Sequence, residues 1–264
     1  MPILERQMLI AFRLLLVVVV NGIVIYGIGW AEWNGATALA VYWIETIVGG
    51  LLGAARIWLH RRWTRKKGHY RAQLGVTVGG EGNAKPINSF FVEYLTLIIV
   101  FSVGHAVFLG FFLYGILKQH PDPVLLKQGA LAVVLCQIVG FLADLSTLHT
   151  MPFAVLKRMA GASAGRVVLI QFAIIGGMFL AAMSNRNENF LIPFAILKLL
   201  ADVAGAFSSL PQRKTAPRWM VRLINWIWPK TDFEQYLAAE AIKDEKQEAQ
   251  DEEVMPEPAP KKKR

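Results

Sequence analysis

ATALAVYWIETIVGGLLGAARIW, residues 36–58, is an unbroken apolar run with one acid near its middle and one base close to its end. As a helix rising about 1.5 Å per residue it would cover roughly 35 Å, enough to cross the ~30 Å hydrocarbon core of a bilayer. Five more apolar blocks surround it, at about 8–30, 88–117, 124–146, 166–185 and 189–209. The composition agrees: 55% of the 264 residues are hydrophobic and 18% charged, with a mean hydropathy of +0.41. Soluble domains average about 45–50% apolar and about 25% charged residues. These values exclude a soluble enzyme, a disulfide-stapled secreted domain, a collagen and a wholly disordered chain. The expected fold is all-α, a polytopic membrane helix bundle with about six transmembrane helices in residues 1–210.

The distribution of basic residues orients the spans. Residues 1–210 hold 17 Lys and Arg against 9 Asp and Glu, whereas 211–264 hold 11 against 10, so all but one unit of the net charge of +9 lies in the bundle. The segment after the second block carries Arg56, Arg61, Arg62, Arg65, Lys66, Lys67, Arg71 and Lys85; the one after the fourth carries Lys157, Arg158 and Arg166. Arg213, Lys214, Arg218 and Arg222 follow the sixth block, and the alternate connections are poor in Lys and Arg. The positive-inside rule then puts both termini in the cytoplasm. Trp30 and Trp33 at one end, with Trp58 and Trp63 at the other, read as interfacial belts. The first apolar block is longer than a signal-peptide core, so it reads as a retained helix.

Beyond the bundle, Pro217 to Pro229 enclose RWMVRLINWIW, too short to span. Residues 211–239 read as an interfacial amphipathic helix and linker, with Trp219, Arg222 and Trp226 at the membrane surface. Residues 240–264 are Glu/Lys/Gln-rich, then Pro-rich, and end in Lys261-Lys262-Lys263-Arg264, a composition expected to be a disordered charged tail. Gly75, Gly79, Gly80 and Gly82 in the basic loop lack the Gly-Lys-Ser/Thr ending of a phosphate-binding loop and read as a flexible connection.

Charges inside a bilayer cost at least about 2.5–3.5 kcal/mol each on insertion scales, so each needs a reason. Glu45, His105, Lys198 and Asp202 all fall near mid-span. Glu45, Gly49 and Gly53 are spaced by four and form one stripe, where small residues would admit a neighbouring backbone. Gly176 and Gly177 mark a second close approach in the fifth block. Lys198 and Asp202 are i,i+4 and share a face. Asn21 and Gln171 are hydrogen-bonding residues of the kind that join helices. Structural ion pairing is the simpler role for the four polar residues; a functional polar site is the alternative. Glu93 and Asp144 fall near helix ends, within reach of water.

No metal site is expected: the other histidines, His60, His69, His120 and His149, fall in loops or at span ends, so a bis-histidine haem lacks a second ligand. Lone Cys136 forms no internal disulfide. Neither a His-Glu-x-x-His nor a Gly-x-Ser-x-Gly motif is present. Ser102 and His105 share a helix face, but no oxyanion donor or third group can be named for them. No basic face with interleaved aromatics suggests nucleic acid.

The stretch Tyr42-Trp43-Ile44-Glu45 resembles a family of uncharacterised bacterial multi-pass inner-membrane proteins, a domain of unknown function. The likeness continues at Gly104-His105 with Phe108, Gly176-Gly177 with Phe179, and Leu197-Lys198 with Asp202, and covers roughly residues 8–209. It implies that Glu45, His105, Lys198 and Asp202 belong to a shared core, and it implies a bacterial inner membrane. Members often carry a histidine near Gln171, which puts a proton or metal role at that position in doubt here. The family supplies no activity.

The resulting expectation is an integral membrane protein without cofactor, first a non-enzymatic binding or scaffold protein of the bacterial inner membrane. The alternative is a small-molecule or proton-coupled ion transporter using Glu45 and Asp202, compensated by Lys198 or His105. An intramembrane enzyme comes third. Expected partners are membrane lipids and either another membrane protein or a second copy of the chain.

Overall fold

The computed structural model describes residues 3–78, 85–184, 191–207, 225–226 and 233–256. Its helices are α1 (Ile3–Gly29), α2 (Gly35–Thr64), α3 (Phe90–Gly110), α4 (Pro123–Leu148), α5 (Phe153–Ser184), α6 (Leu191–Ala206) and α7 (Phe233–Glu252). A π-helical turn, Phe111–Leu117, extends α3. The loop after α2 carries a 3-10 turn (Lys67–Tyr70) and a two-residue antiparallel ribbon, β1 (Thr77–Val78) with β2 (Lys85–Pro86), in register Thr77 to Pro86 and Val78 to Lys85. Among the described residues, four stretches are long and apolar enough to cross a membrane: Ala11–Gly29, Gly35–Thr64, Phe90–Gly115 and Pro123–Leu148.

Helix α2 lies at the centre, touching α1, α3, α4 and α5, while α6 packs on α1 and α5. Its N-terminus is fixed by interlocking caps. The Asn34 side chain accepts from Thr37 N at 2.8 Å and donates to His120 O; Thr37 Oγ1 accepts from Asp122 N; Asp122 in turn caps α4 at Val124 and Leu125. Trp33 is the wedge beneath these caps. A Cβ on Gly27 or Gly129 would lie 2.3 or 2.4 Å from its indole, so both glycines are needed to seat it. Trp33 is therefore core rather than an interfacial belt, whereas Trp30 remains 73% exposed.

Among the described residues, an apolar core closes each end of the bundle. Val20, Val24, Trp33, Ala38, Val41 and Val133 fill one; Ile57, Phe90, Tyr94, Leu148, Phe153 and Leu156 lead the other, at the end carrying the basic loop and hereafter called the basic end. The flanks are apolar too: Ile25, Val100, Val107, Leu131 and Leu200 are all exposed.

Helix α5 begins about three turns earlier than the fifth apolar block. Lys157, Arg158 and Arg166 dilute the hydropathy there, yet Ala, Leu, Met, Lys and Arg are strong helix formers. Phe153, Leu156, Ala160, Ala164 and Val167 recur at three- and four-residue spacing and are all buried. Residues 240–256 also differ from the expected disordered tail. Helix α7 runs to Glu252, Lys66 pairs with Val254 in a β-bridge, and Asp251 is buried between Arg71 Nη2 at 2.5 Å and Gln73 Nε2 at 3.1 Å. Glu252 reaches Lys66 and Ala154 N, and Glu253 reaches Lys67. Acidic composition denies the segment a core of its own; the basic loop supplies a surface of opposite charge. Trp219 and Arg222 lie outside the described residues, and Trp226 is exposed.

Candidate functional site

The four polar residues singled out from the sequence fall in the middle of the bundle, and three of them meet. Lys198 on α6 places its Nζ 2.8 Å from Asp202 Oδ2, one turn along the same helix, and 3.2 Å from Glu45 Oε1 on α2. Asn21 on α1 joins them, donating from Nδ2 to Asp202 Oδ2 at 3.0 Å and accepting from Lys198 Nζ at 3.2 Å. His105 does not reach the carboxylates. Its ring lies 5.9 Å from that of Tyr42, and the Lys198 ammonium sits 5.9 Å from the same tyrosine ring.

The fourth ionic member is Arg166, which the sequence reading assigned to a loop. Thirteen residues into α5, its Nη1 lies 2.7 Å from Asp202 Oδ1 and 3.7 Å from Glu45 Oε1. Two cations and two carboxylates thus form a balanced tetrad across α2, α5 and α6. The signal that could have found Arg166 was the buried-face spacing from Phe153 to Val167, which carries the helix straight through it.

The carboxylates differ. Both oxygens of Asp202 are engaged, by Arg166 on one side and by Lys198 and Asn21 on the other. Among the described residues, Glu45 meets partners only through Oε1, at longer range, and its buried Oε2 has no hydrogen-bond partner. A buried acceptor left open is costly, and in a native fold it calls for a specific explanation.

A cavity of about 220 Å³ explains the openness around Glu45. It runs between α1, α2, α4, α5 and α6, with Glu45, Gly49, Gln137, Arg166 and Asp202 in its wall, and continues to a second ionic group. There Asp144 on α4 accepts from Arg13 Nη2 at 2.7 Å and Nε at 3.2 Å, and its other oxygen meets Arg56 Nε at 2.9 Å. Asp144 is therefore a buried partner of two arginines rather than a carboxylate reaching bulk water. Glu93 is buried likewise, accepting from Gln73 N at 2.6 Å and Val76 N at 2.8 Å and so fixing the loop before the β ribbon.

The glycine stripe serves this cavity differently from the expected close backbone contact. A Cβ on Gly49 would come 3.5 Å from Arg166 Nη2 and 3.6 Å from the Gln137 amide, so this glycine borders open space beside the tetrad. Gly50 and Gly53 instead receive side chains of α3, Ile98 and the Tyr94 hydroxyl, at 2.5 and 2.4 Å from an added Cβ. Gly176 and Gly177 lie within α5. Among the described residues no three His, Cys, Asp or Glu side chains converge as a metal site.

His60 and His69 are a further surprise, since both are buried at the basic end. His60 Nε2 meets Met151 O at 2.9 Å, so it must carry the proton; its Nδ1 then accepts from His69 Nε2 at 2.7 Å. Burial, reinforced by His60, Arg61 and Lys66, pushes the His69 imidazole down to about 3.

With this geometry established, a family profile gives the chain its place. The family of unknown function DUF6498 matches residues 4–219. The chain belongs to DUF6498. The match takes in the tetrad, the Arg13–Asp144–Arg56 group and the cavity joining them, and ends before α7. No curated protein and no solved structure matches this DUF6498 chain.

Proposed function

We propose that this DUF6498 protein is a bacterial inner-membrane bundle of six spans with cytoplasmic termini, binding a small polar solute as a proton-linked transporter does. The observation carrying this reading is the cavity that reaches Glu45, the one tetrad carboxylate with an open oxygen. Support for a lipid surround comes from the apolar flanks: side chains such as Val107 and Phe111 face outward while charges face inward. At about 220 Å³ the cavity is smaller than the roughly 300–1,000 Å³ typical of drug-sized ligands, which suits a small solute.

The division of labour follows from the hydrogen bonds. Asp202, saturated by Arg166, Lys198 and Asn21, locks α1, α5 and α6 together, as the scaffold reading would have it. Glu45, held at one oxygen, takes and releases the proton. Cys136 lines the same cavity and is the chain's single cysteine, so it reports on access without any mutation. In sealed vesicles a small water-soluble methanethiosulfonate should form a mixed disulfide with Cys136, and Gly49→Leu, which fills the cavity beside Arg166, should slow it several-fold. A Cys136 that reacts only after denaturation would sink the solute-binding reading.

A further inference from the structure

The cavity and its immediate backing hold an uneven number of charges. Arg13, Arg56, Arg166 and Lys198 face Glu45, Asp144 and Asp202, so one positive charge is left over among the described residues. An uncompensated charge inside an apolar bundle is expensive. The remaining buried carboxylates are committed elsewhere, Glu93 to the backbone of the basic loop and Asp251 to Arg71 and Gln73. Glu32 and Asp122 belong to the capped end of α2 and α4, away from the basic end.

The surplus has a place. Arg13 spends both Nε and Nη2 on Asp144, but Arg56 approaches that carboxylate with Nε at 2.9 Å, outside hydrogen-bonding geometry. Apart from this contact the Arg56 guanidinium has no hydrogen bond to a described residue; it lies over the Phe141 ring at 5.3 Å and lines the cavity. A guanidinium edge of this kind matches the two oxygens of a carboxylate or phosphate in a paired, charge-assisted geometry.

We propose that the cavity binds a small oxyanion at Arg56, with Arg13 beside it and Asp144 holding the two arginines apart. This deepens the solute-binding reading and rests on it: the solute is an anion bearing a carboxylate or phosphate group. Arg166 and Lys198 lie further along and keep the rest of the path from repelling it. The same oxyanion chemistry is offered by a free anion and by the headgroup of an anionic phospholipid.

Cys136 in the full-length protein provides the test. Its labelling is followed with the anionic sulfonatoethyl methanethiosulfonate and the cationic trimethylammonioethyl reagent, each normalised to free cysteine. The anionic reagent should react faster by on the order of tenfold, as one unbalanced positive charge lining the same partly screened cavity would give. Arg56→Gln should bring the ratio close to one, and Asp144→Asn should widen it. Because the two variants move the ratio in opposite directions, loss of either one to misfolding leaves the other decisive. Sodium acetate or phosphate slowing the reaction in zwitterionic micelles identifies a free anion; slowing only in phosphatidylglycerol vesicles identifies a headgroup. Equal labelling by both reagents, unaffected by acetate, phosphate or phosphatidylglycerol, would overturn the anion assignment while leaving a hydrated cavity intact. No labelling by either reagent would overturn the cavity reading itself.

Discussion

The tetrad in the middle of the bundle and the arginine pair at its basic end differ in how their carboxylates are shared. In the tetrad two acids meet two bases, and Asn21 supplies both a donor and an acceptor to complete the set. At the basic end Asp144 alone serves Arg13 and Arg56, whose side chains stay partly accessible at 15% and 16%. A balanced group centred on a saturated Asp202 fixes helix positions; an unbalanced, partly accessible one is ready to take a ligand.

Removing one carboxylate from each group is the strongest way to break this comparison. Asp202→Asn strips Arg166 and Lys198 of their shortest contacts and should cost about 3–5 kcal/mol, read as a large fall in the detergent melting temperature. Asp144→Asn should cost less, about 1–3 kcal/mol, because the two arginines stay partly accessible. Equal losses would mean that both groups are structural locks. A double-mutant cycle of Glu45→Gln with Lys198→Met sharpens the point. Glu45 is held through a single oxygen, so its coupling to Lys198 should fall toward the lower end of the about 0.5–3 kcal/mol seen for contacting residues.

Acid should act at the basic end, through His69. The folded-state value of His69, about 3, lies below its ordinary 6.5, so between these limits the unfolded chain binds the extra proton. The stabilisation is complete above pH 6.5 and falls as pH drops through the window, by about 1.4 kcal/mol per unit for one proton. Melting temperatures measured from pH 7 to 5 should decline in the native chain and flatten in His69→Gln. A slope unchanged in that variant would move the acid response elsewhere.

The smallest expected effect separates neighbouring glycines. Gly49→Ala adds a Cβ at ordinary contact distance from Arg166 and should shift stability by less than about 0.5 kcal/mol. Gly50→Ala drives a Cβ to 2.5 Å from Ile98 and should cost about 1–3 kcal/mol. A tolerated Gly50→Ala paired with a disruptive Gly49→Ala would reverse the assignment of which glycine borders the cavity.

Much of this architecture is legible in the chain. The apolar runs mark the first four long helices, because a helix needs a fixed length of apolar side chains to cover about 30 Å. The mid-run position of Glu45, Lys198 and Asp202 also identifies them as charges requiring partners, and the match over residues 4–219 bears out a family of unknown function. What hydropathy obscures is any charge on a buried helix face. Arg56, Asp144 and Arg166 each sit close to a block edge, and averaging over neighbours turns them into loop or boundary residues. His60 and His69 disappear for the same reason.

By itself, then, the sequence determines helix content, the apolar lengths and the presence of costly mid-run charges, since these follow from local composition and the geometry of a helix. Only the tertiary structure decides that Arg166 closes the tetrad, that Asp144 is shared by two arginines, and that an acidic C-terminal helix docks on the basic loop. Each of those contacts joins residues far apart in the chain: 36 residues for Arg166 and Asp202, 131 for Arg13 and Asp144, 178 for Gln73 and Asp251. Partner choice among buried charges depends on which helices become neighbours, and packing, not local composition, sets that.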